Sequence, residues 1–439
     1  METTAFQITT ETKLRRIAWL SQRNKQKVFN NLMHLINEES LKVCFNEIDG
    51  KKAIGIDGIS KEQYGDHLET NLKEFVSRLR SMSYRPGNIR EVRIPKEGKP
   101  GETRPLGISN FEDKLFQKAV HKILESIYEP IFLECSYGFR PGRGCHDAIR
   151  ALRQHLDRNE VEVIIDIDLA NFFGTIDHKT LLSILQEKIK DERLIRYISR
   201  MLKAGVLSQG ELIVSEEGSS QGSMCSPILA NIFAHYALDQ WIEETVKVHC
   251  KGKVELFRYC DDAVLCCRYK QDAERVHKAL AKRLEKYKLK LNEEKTKLVN
   301  FSREAYIRQK GKQENFDFLG FNFYWGKTRS GRPVPKIRTS SKRMKSKLQK
   351  VTTWAKDIKN KLQLPIIWKK FCQKLEGHTR YFGVTFNIER VQQFQFLATR
   401  ILFKQLNRRS QCKSFNWGAF RLFMQKNPLQ KARIWHALF

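Results

Sequence analysis

Long apolar runs are missing from this sequence. It has no stretch of 18 apolar residues, and the N-terminal segment METTAFQITTETKLRRIAWL has no uninterrupted apolar core. A membrane-spanning helix needs about 20 mostly apolar residues, and a secretory signal needs an apolar run of its own. The two absences argue against a membrane-spanning helix and against a secretory signal. They predict a cytoplasmic protein without a membrane partner.

Cysteine pairs at metal-ligand spacing are also absent. The ten cysteines are scattered, with no CxxC pair and no histidine cluster at zinc-ligand spacing. Structural zinc sites depend on such spacing. We interpret the cysteines as reduced thiols that mostly fill cores, and we expect no zinc-stabilised nuclease module at the C-terminus.

Acidic residues are few relative to basic ones. The 439 residues include 80 Lys and Arg against 49 Asp and Glu, so the formal net charge is +31. This excess is larger than solubility requires, and it is spread along the whole chain, which predicts folded basic surfaces for a polyanion such as nucleic acid. No repeat of fixed period and no low-complexity block occurs, and the length predicts two or three domains.

Strand and helix patterns alternate through the middle of the chain. Alternation around a Gly/Pro-rich turn predicts a β-hairpin over 91–109, and apolar residues at helical spacing predict helices over 112–129 and about 62–82. The β-branched run at 160–173 is typical of a strand buried on both faces. The fold class is therefore expected to be α+β.

The composition changes near residue 330. From about 335 the chain is rich in Lys, Arg, Gln and Trp, with helical patterning and no clear strand signal. We therefore predict an N-terminal extension at 1–52, a mixed unit at 53–330 and a helical, basic domain at 331–439.

Two pairs of acids interrupt apolar segments. Asp166 and Asp168 are two residues apart on one predicted strand, so both side chains point to the same face. Asp261 and Asp262 occupy the joint of a second predicted hairpin, VELFRYCDDAVLCC. Carboxylates brought together in this way suit two Mg²⁺ ions. Such ions would stabilise the attacking and leaving oxygens of an in-line phosphoryl transfer. The alternative is that either pair consists of solvent-exposed turn residues.

The joint of this hairpin also carries a family resemblance. RYCDD resembles the YxDD box of reverse transcriptases, and the surrounding blocks stand in the order of the group II intron-encoded reverse transcriptases, or maturases. The resemblance covers roughly 53–325 through KEGKPGETRPLGI, SYGFRPGRGCHDAI, DIDLANFFGTIDH, SSQGSMCSPILANI, FRYCDD, LNEEKTKLV and FDFLGF. In the tail, KKFCQKLEGHTRYFGV and LNRRSQCKSFNWGAFRLF resemble the maturase domain.

The resemblance implies a right-hand polymerase. Such a polymerase has fingers and a palm built on an antiparallel sheet, followed by an all-α thumb or maturase domain. We expect no HNH endonuclease domain. The implied function is RNA-directed DNA synthesis for a group II intron, with binding of structured intron RNA to assist splicing and mobility. The partners would be an RNA template with a DNA primer, and dNTPs. The alternative is a related reverse transcriptase recruited to antiphage defence or CRISPR-linked spacer acquisition.

The family's catalytic, metal-binding acids match Asp168, Asp261 and Asp262. Of these, Asp261 is expected to be the more direct ligand and Asp262 a supporting group. Phe173, five residues after Asp168, matches the aromatic gate that excludes a 2′-hydroxyl; the alternative is a core aromatic. Asp166 supports the site electrostatically or is paired with a nearby Lys or Arg.

The resemblance also implies substrate-binding residues. Lys96 and Arg104, on opposite arms of the first hairpin, match triphosphate ligands, while Gln221 matches a glutamine near the templating base. Arg143 is either a template or phosphate contact or a structural turn arginine. Lys295 lies near the leaving pyrophosphate or is an exposed helix-end lysine.

Two further groups follow from the same resemblance. FLG at 318–320 resembles the primer-grip turn. The tail combines cations and aromatic rings expected to contact RNA, or to form the charged face of a helical bundle: Arg380, Tyr381, Arg408, Arg409, Lys413 and Trp417. The sequence departs from the family pattern at Cys260, at GSMCSP and at Gly174, which leaves the metal ligands intact.

Overall fold

The computed structural model describes residues 9–95, 101–208, 211–213, 215–218, 222–308, 313–409 and 416–438. Within them the strands are β1 (Ile89–Pro95), β2 (Thr103–Ile108), β3 (Val163–Asp168), β4 (Val206–Ser208), β5 (Glu211–Ile213), β6 (Val254–Tyr259), β7 (Asp262–Cys267), β8 (Lys297–Asn300), β9 (Phe316–Phe318), β10 (Phe321–Lys327) and β11 (Pro333–Thr339).

Four helices precede the first strand, and the others occur between and after the strands. In the described residues they are α1 (Thr10–Arg23), α2 (Glu38–Glu47), α3 (Lys61–Gly65), α4 (Leu68–Arg80), α5 (Phe111–Tyr128), α6 (Cys145–Arg158), α7 (His178–Lys188), α8 (Glu192–Leu202), α9 (Ser226–Ala234), α10 (Lys247–His249), α11 (Lys270–Lys286), α12 (Arg303–Arg308), α13 (Ser341–Ile358), α14 (Leu364–Phe382), α15 (Ile388–Leu406) and α16 (Trp417–Lys426). The chain between α9 and α10 continues as π-helical turns at His235–Asp239 and Ile242–Val246.

The strands form three sheets. The hairpin sheet has the order β2-β1-β4-β5, the central sheet β6-β7-β3-β8, and the third sheet β11-β10-β9. The first predicted hairpin is confirmed, since β1 and β2 pair antiparallel from Arg90 opposite Ile108 to Pro95 opposite Thr103. The α+β class is also confirmed.

Strand β3 lies inside the central sheet and is buried on both faces. Val163, Ile165 and Ile167 belong to the larger hydrophobic cluster, which contains α5, α9 and α11. Ile164, which points the opposite way, belongs to a second cluster that contains α6 and β10. A strand covered on both faces has no polar side to alternate with, which explains its continuous apolar sequence.

Two expectations about secondary structure are wrong. The single helix expected over about 62–82 is divided into α3 and α4, with Asp66 and His67 between them. The absence of a strand after 335 is contradicted by β11, which pairs with β10 from Pro333 opposite Lys327 to Thr339 opposite Phe321. The purely helical part of the chain therefore starts only at Ser341.

Helices α13 to α16 form a bundle with a core of its own. Phe371, Phe394 and Phe420 are buried at its centre. The residue before α13, Ser340, caps the helix, because its side-chain oxygen accepts a hydrogen bond from the backbone N–H of Arg343. Among the described segments, no helix has the combination of length and apolar character that crossing a membrane requires.

Candidate active site

A cleft of about 1490 Å³ is bounded by the hairpin sheet, the central sheet and α13. All four acids singled out in the sequence line it, together with the predicted phosphate ligands Arg104 and Lys295. Its α13 wall includes Lys342, Arg343 and Lys350. A cleft with acids at its floor and basic side chains on its walls suits a polyanionic substrate and the cations that accompany it.

The acids are brought together by the pairing of β3, β6 and β7. Tyr259 pairs with Asp262 across the β6–β7 hairpin, which leaves Cys260 and Asp261 as a two-residue turn. Cys260 has φ +60°, the left-handed conformation that a type II′ hairpin turn requires at its first central position. Asp168 lies directly opposite Asp262 in the β3–β7 ladder, so their side chains share one face of the sheet.

The pKa values of Asp166, Asp261 and Asp262 are raised, first by burial and then by neighbouring carboxylates. Burial and the Asp166 carboxylate raise the pKa of Asp262 to about 7, although the backbone N–H of Leu319 donates to Asp262 Oδ2 at 3.3 Å. Burial and the neighbouring Asp168 raise the pKa of Asp166 to about 6. Loss of solvent within the cleft, together with Asp168, also raises the pKa of Asp261, although part of that side chain is exposed.

The site has the donors that a hard divalent cation prefers. Lys295 Nζ lies 3.2 Å from Asp168 Oδ1 and 3.3 Å from Oδ2, so an ammonium group already neutralises one of the acids. In the parts of the chain that the structure describes, no three His, Cys, Asp or Glu side chains converge on one metal position. Still, carboxylates that destabilise one another's charge would gain from a cation, so these residues fit one.

Two other predicted contacts differ in their surroundings. Arg104 is exposed on β2, opposite Ile94 of β1, and lines the cleft. Arg143 instead forms an ion pair with Glu134 at 2.7 Å, and it also donates to the carbonyl oxygens of Glu134 and Ser136. Its contacts are those of a structural turn arginine.

The predicted gate, Phe173, is half-buried beside the cleft. Its ring lies 5.6 Å from that of Phe172, at an angle of 67°. The cleft lining includes Asn171 and Gly174 on either side of this pair. Asn171 has φ +47°, which turns the chain sharply after β3.

Three predicted site residues, Lys96, Gln221 and Lys413, lie outside the described residues. The residue after Gln221 does show why a glycine is needed there. Gly222 has φ +116°, and a Cβ on it would lie 2.3 Å from the carbonyl oxygen of Gly107 in β2.

The turn between β9 and β10 lies against the acids. Leu319 and Gly320 have φ +51° and +81°, as expected for a type I′ turn, and the Leu319 N–H is the donor to Asp262 described above. Tyr381 of α14 donates from its hydroxyl to the Leu319 carbonyl at 2.9 Å, and its ring stacks on Phe321. Tyr381 thus connects the helical bundle to this turn.

The other predicted RNA contacts in the bundle are partly engaged within the protein. Arg380 forms an ion pair with Glu376 at 2.6 Å. Arg409 donates to the carbonyl oxygen of Leu362, whereas Arg408 is exposed. The Trp417 ring lies 4.7 Å from that of Phe403 and is partly exposed.

Several residues of the cleft were not predicted from the sequence. Lys297 of β8 pairs with Asp166 in the central sheet, and Asp317 of β9 lines the same cleft. Lys342, Ser346 and Lys350 recur every four residues along α13 and line one wall. That spacing is visible in the sequence and could have identified the face of α13 that the cleft exposes.

Comparisons with known proteins agree with this geometry. The family model for reverse transcriptase (RNA-dependent DNA polymerase) matches residues 94–323. The group II intron-encoded protein LtrA of Lactococcus lactis subsp. cremoris is 35% identical over 230 residues, which cover 52% of this chain and 38% of LtrA. Protein YkfC of Escherichia coli K12 is 30% identical over 313 residues, which cover 64% of this chain and 78% of YkfC.

A match to the nuclear intron maturase 1 of Arabidopsis thaliana is shorter, at 27% identity over 112 residues, 26% of this chain and 16% of that protein. The chain thus spans only part of the length of LtrA and of the plant maturase. The family match includes β3, the β6–β7 turn and the β9–β10 turn, which are the elements that build the acidic floor of the cleft. The predicted resemblance to group II intron-encoded proteins is confirmed, and the chain belongs to the reverse transcriptase family.

Proposed function

We propose that this chain is the RNA-directed DNA polymerase of a group II intron. The observation that carries the proposal is the placement of Asp168 opposite Asp262, with Asp261 in the adjoining turn, on the floor of a basic cleft. The relatives named as intron-encoded proteins and maturases support the group II assignment.

The reaction is the attack of a primer 3′-hydroxyl on the α-phosphate of a dNTP, directed by an RNA template. Asp168 and Asp261 would hold two Mg²⁺ ions, and Asp262 would support them by adding negative charge. Bound Mg²⁺ would supply charge neutralisation at the attacking and leaving oxygens. Reverse transcriptases generally use divalent metal ions, which is consistent with this donor set.

The other residues bind and orient the substrate. Arg104, with Lys96, binds the triphosphate, because guanidinium and ammonium groups both suit phosphate oxygens. Lys295, next to Asp168, neutralises the leaving pyrophosphate. Phe173 would contact the sugar, and the role proposed for Gln221, from the sequence match alone, is at the templating base.

Primer extension tests the polymerase proposal. We expect Asp261→Asn to lower the rate of dNTP incorporation on an RNA template in Mg²⁺ by roughly 100-fold or more, since one ligand to the charge-neutralising ions is lost. Asp66→Asn, at an exposed position between α3 and α4, is the matched control and should leave the rate unchanged. Normal extension by Asp261→Asn would exclude the proposed site.

We also propose that the chain binds its intron RNA and assists splicing. The formal charge of +31 and the basic bundle of α13 to α16 support an RNA surface distinct from the acidic floor. An Asp168→Asn protein should therefore lose DNA synthesis but keep intron RNA binding and splicing. The test is a variant that combines Arg380→Gln, Arg408→Gln and a substitution at Lys413. The proposal of RNA binding fails if this variant binds RNA with unaltered affinity.

A further inference from the structure

Arg258 is fully buried in β6, and all of its side-chain donors are used. Its Nε donates to Asp239 Oδ1 at 2.7 Å, and its Nη2 donates to Asp239 Oδ2 at 2.6 Å. The remaining donors contact Ser136 Oγ at 2.8 Å, Asn231 Oδ1 at 3.1 Å and the Cys260 carbonyl oxygen at 3.1 Å. The guanidinium has five N–H groups, so this network satisfies it completely.

The three side-chain partners come from two separate parts of the chain. Ser136 lies in the loop before α6, Asn231 on α9, and Asp239 at the end of the first π-helical turn; all three side chains are buried. Asn231 also donates from Nδ2 to the Gly138 carbonyl at 2.6 Å. The network therefore joins a loop and a long helical segment to the strand that leads into the Cys260-Asp261 turn.

The bond to Cys260 acts on the orientation of Asp261. Because the peptide unit is planar, a donor that holds the Cys260 carbonyl also holds the plane that carries the N and Cα atoms of Asp261. Cys260 needs such support, because φ +60° is unfavourable for a side chain with a Cβ. On the other side of the turn, a Cβ at Gly138 would lie 2.4 Å from Cys260 Sγ, so that loop packs directly against it.

Stability alone does not account for a charged pair at this position. Well-packed apolar residues in place of a buried ion pair often leave a protein as stable or more stable. What apolar residues cannot provide is a fixed donor for the Cys260 carbonyl. Lysine cannot provide it either, because one ammonium cannot bond both carboxylate oxygens, a hydroxyl, an amide and a carbonyl from one position.

We propose that Arg258, held by Asp239, Asn231 and Ser136, is a positioning residue that orients the Cys260–Asp261 peptide and thereby presents the Asp261 carboxylate to a divalent cation. The inference rests on the proposed polymerase function, but it concerns a residue without contact to substrate or metal. It requires that Arg258 affect cation affinity and turnover more than protein stability or dNTP binding.

The test uses a double variant, Arg258→Met with Asp239→Leu, which removes the pair without leaving one charge buried alone. The probe is Mn²⁺, whose binding is followed by electron paramagnetic resonance in the absence of nucleic acid. Primer extension in Mg²⁺ separately gives kcat and the KM for dNTP, and thermal unfolding gives Tm. The matched control is Arg140→Met with Glu129→Leu, since Arg140 pairs with Glu129 at 2.8 Å and donates to the Ser136 carbonyl.

We expect the Arg258 double variant to bind Mn²⁺ roughly tenfold more weakly and to lose roughly 10- to 100-fold in kcat, because small displacements of catalytic groups cost this much. The KM for dNTP should change little, and the Arg140 control should retain Mn²⁺ affinity and kcat. A folded double variant with normal Mn²⁺ affinity and normal kcat would overturn the inference.

A single variant covers the case in which the double variant does not fold. Arg258→Lys keeps the charge beside Asp239 but not the bond to Cys260, so it should show the same loss of Mn²⁺ affinity, and unchanged affinity would overturn the inference. If the unaltered protein fails to extend primers, the proposed polymerase function fails instead. The Mn²⁺ comparison still decides the role of Arg258 in that case.

Discussion

Phe172 and Phe173 are adjacent in sequence but differ in their surroundings. Phe172 is 2% exposed and belongs to the main core, whereas Phe173 is half-buried next to residues that line the cleft. If Phe173 excludes the 2′-hydroxyl by contact, then Phe173→Val should raise ribonucleotide incorporation relative to deoxynucleotide by roughly 10-fold or more. Competitive primer extension with rNTP and dNTP measures this ratio.

Phe172→Leu is the matched control for this substitution. It removes core volume and should lower the free energy of unfolding by roughly 1–2 kcal/mol, without a change in sugar discrimination. If the Phe173→Val variant and the unaltered protein have the same ratio of rNTP to dNTP incorporation, Phe173 contributes only to the core.

The acids of the floor make stability depend on pH. The folded-state pKa of Asp262 is about 7, above its ordinary value of 3.8, so the folded protein keeps a proton that the unfolded chain has lost. The contribution of Asp262 to stability should therefore decrease as pH rises from about 4 to about 7. Asp262→Asn should raise the free energy of unfolding of the metal-free protein at about pH 7.5 by roughly 1–3 kcal/mol.

Urea unfolding at about pH 5.5 and pH 7.5 checks this expectation. Added Mg²⁺ should stabilise the unaltered protein more at the higher pH, because the acids that would bind it are then ionised. Equal unfolding free energies for the Asn variant and the unaltered protein at both pH values would contradict the electrostatic account of the floor.

At the scale of the element, sequence patterns predicted the parts whose periodicity is local. The β1–β2 hairpin, α5, β3 and the β6–β7 hairpin all follow from alternation or helical spacing over a few residues. Strand β11 was missed because Pro333 and Pro335 interrupt any strand signal, yet an edge strand tolerates residues without an N–H. Its pairing with β10 is a tertiary contact that composition does not reveal.

Helices α14 and α15 bury a histidine between them. The ring of His378 stacks on Phe394 with centroids 3.5 Å apart, and within the described residues neither ring nitrogen has a hydrogen-bond partner. Burial lowers the pKa of His378 to about 3, well below its ordinary value of 6.5. As pH falls below about 6.5, this histidine takes up a proton in the unfolded chain but not in the folded one, so its contribution to stability falls.

His378→Leu should remove this loss of stability at low pH. The change that this substitution makes in the free energy of unfolding should be more stabilising at about pH 5 than at about pH 7.5, by roughly 1–2 kcal/mol. Urea unfolding at the two pH values measures the difference, and His67→Leu at an exposed position is the control. A pH-independent effect of His378→Leu would show that the buried ring does not resist protonation.

Across the whole molecule, ordered motifs predicted which acids meet, but not what holds them. The order of the blocks, through the family resemblance, associated Asp168 with a turn 93 residues later, and the β3–β7 register bears out that proximity. The buried pair of Arg258 and Asp239 has no equivalent signal. Its geometry depends on how the π-helical segment packs behind β6, and no local periodicity encodes that packing.

A second basic cavity lies far from the acidic floor. It has a volume of about 470 Å³ and is lined by Lys327, Arg329, Arg332 and Lys336, with one acid, Asp157. Strand β10 has seven residues, which separates its far end from the Leu319-Gly320 turn by about 20 Å. If intron RNA crosses this surface through its phosphates, Lys327→Gln with Arg329→Gln should weaken RNA binding and leave primer extension on a short template unchanged.

The dependence on salt distinguishes phosphate contacts from other causes of weaker binding. RNA affinity is measured between about 50 and 200 mM salt. Each lost phosphate contact should reduce the magnitude of the slope of log affinity against log salt by roughly 0.7, so the double variant should have a slope smaller by roughly 1.4. Lys278→Gln with Lys282→Gln removes the same charge from the exposed side of α11. An equal change in slope for both double variants would show that net charge, and not this cavity, determines RNA affinity.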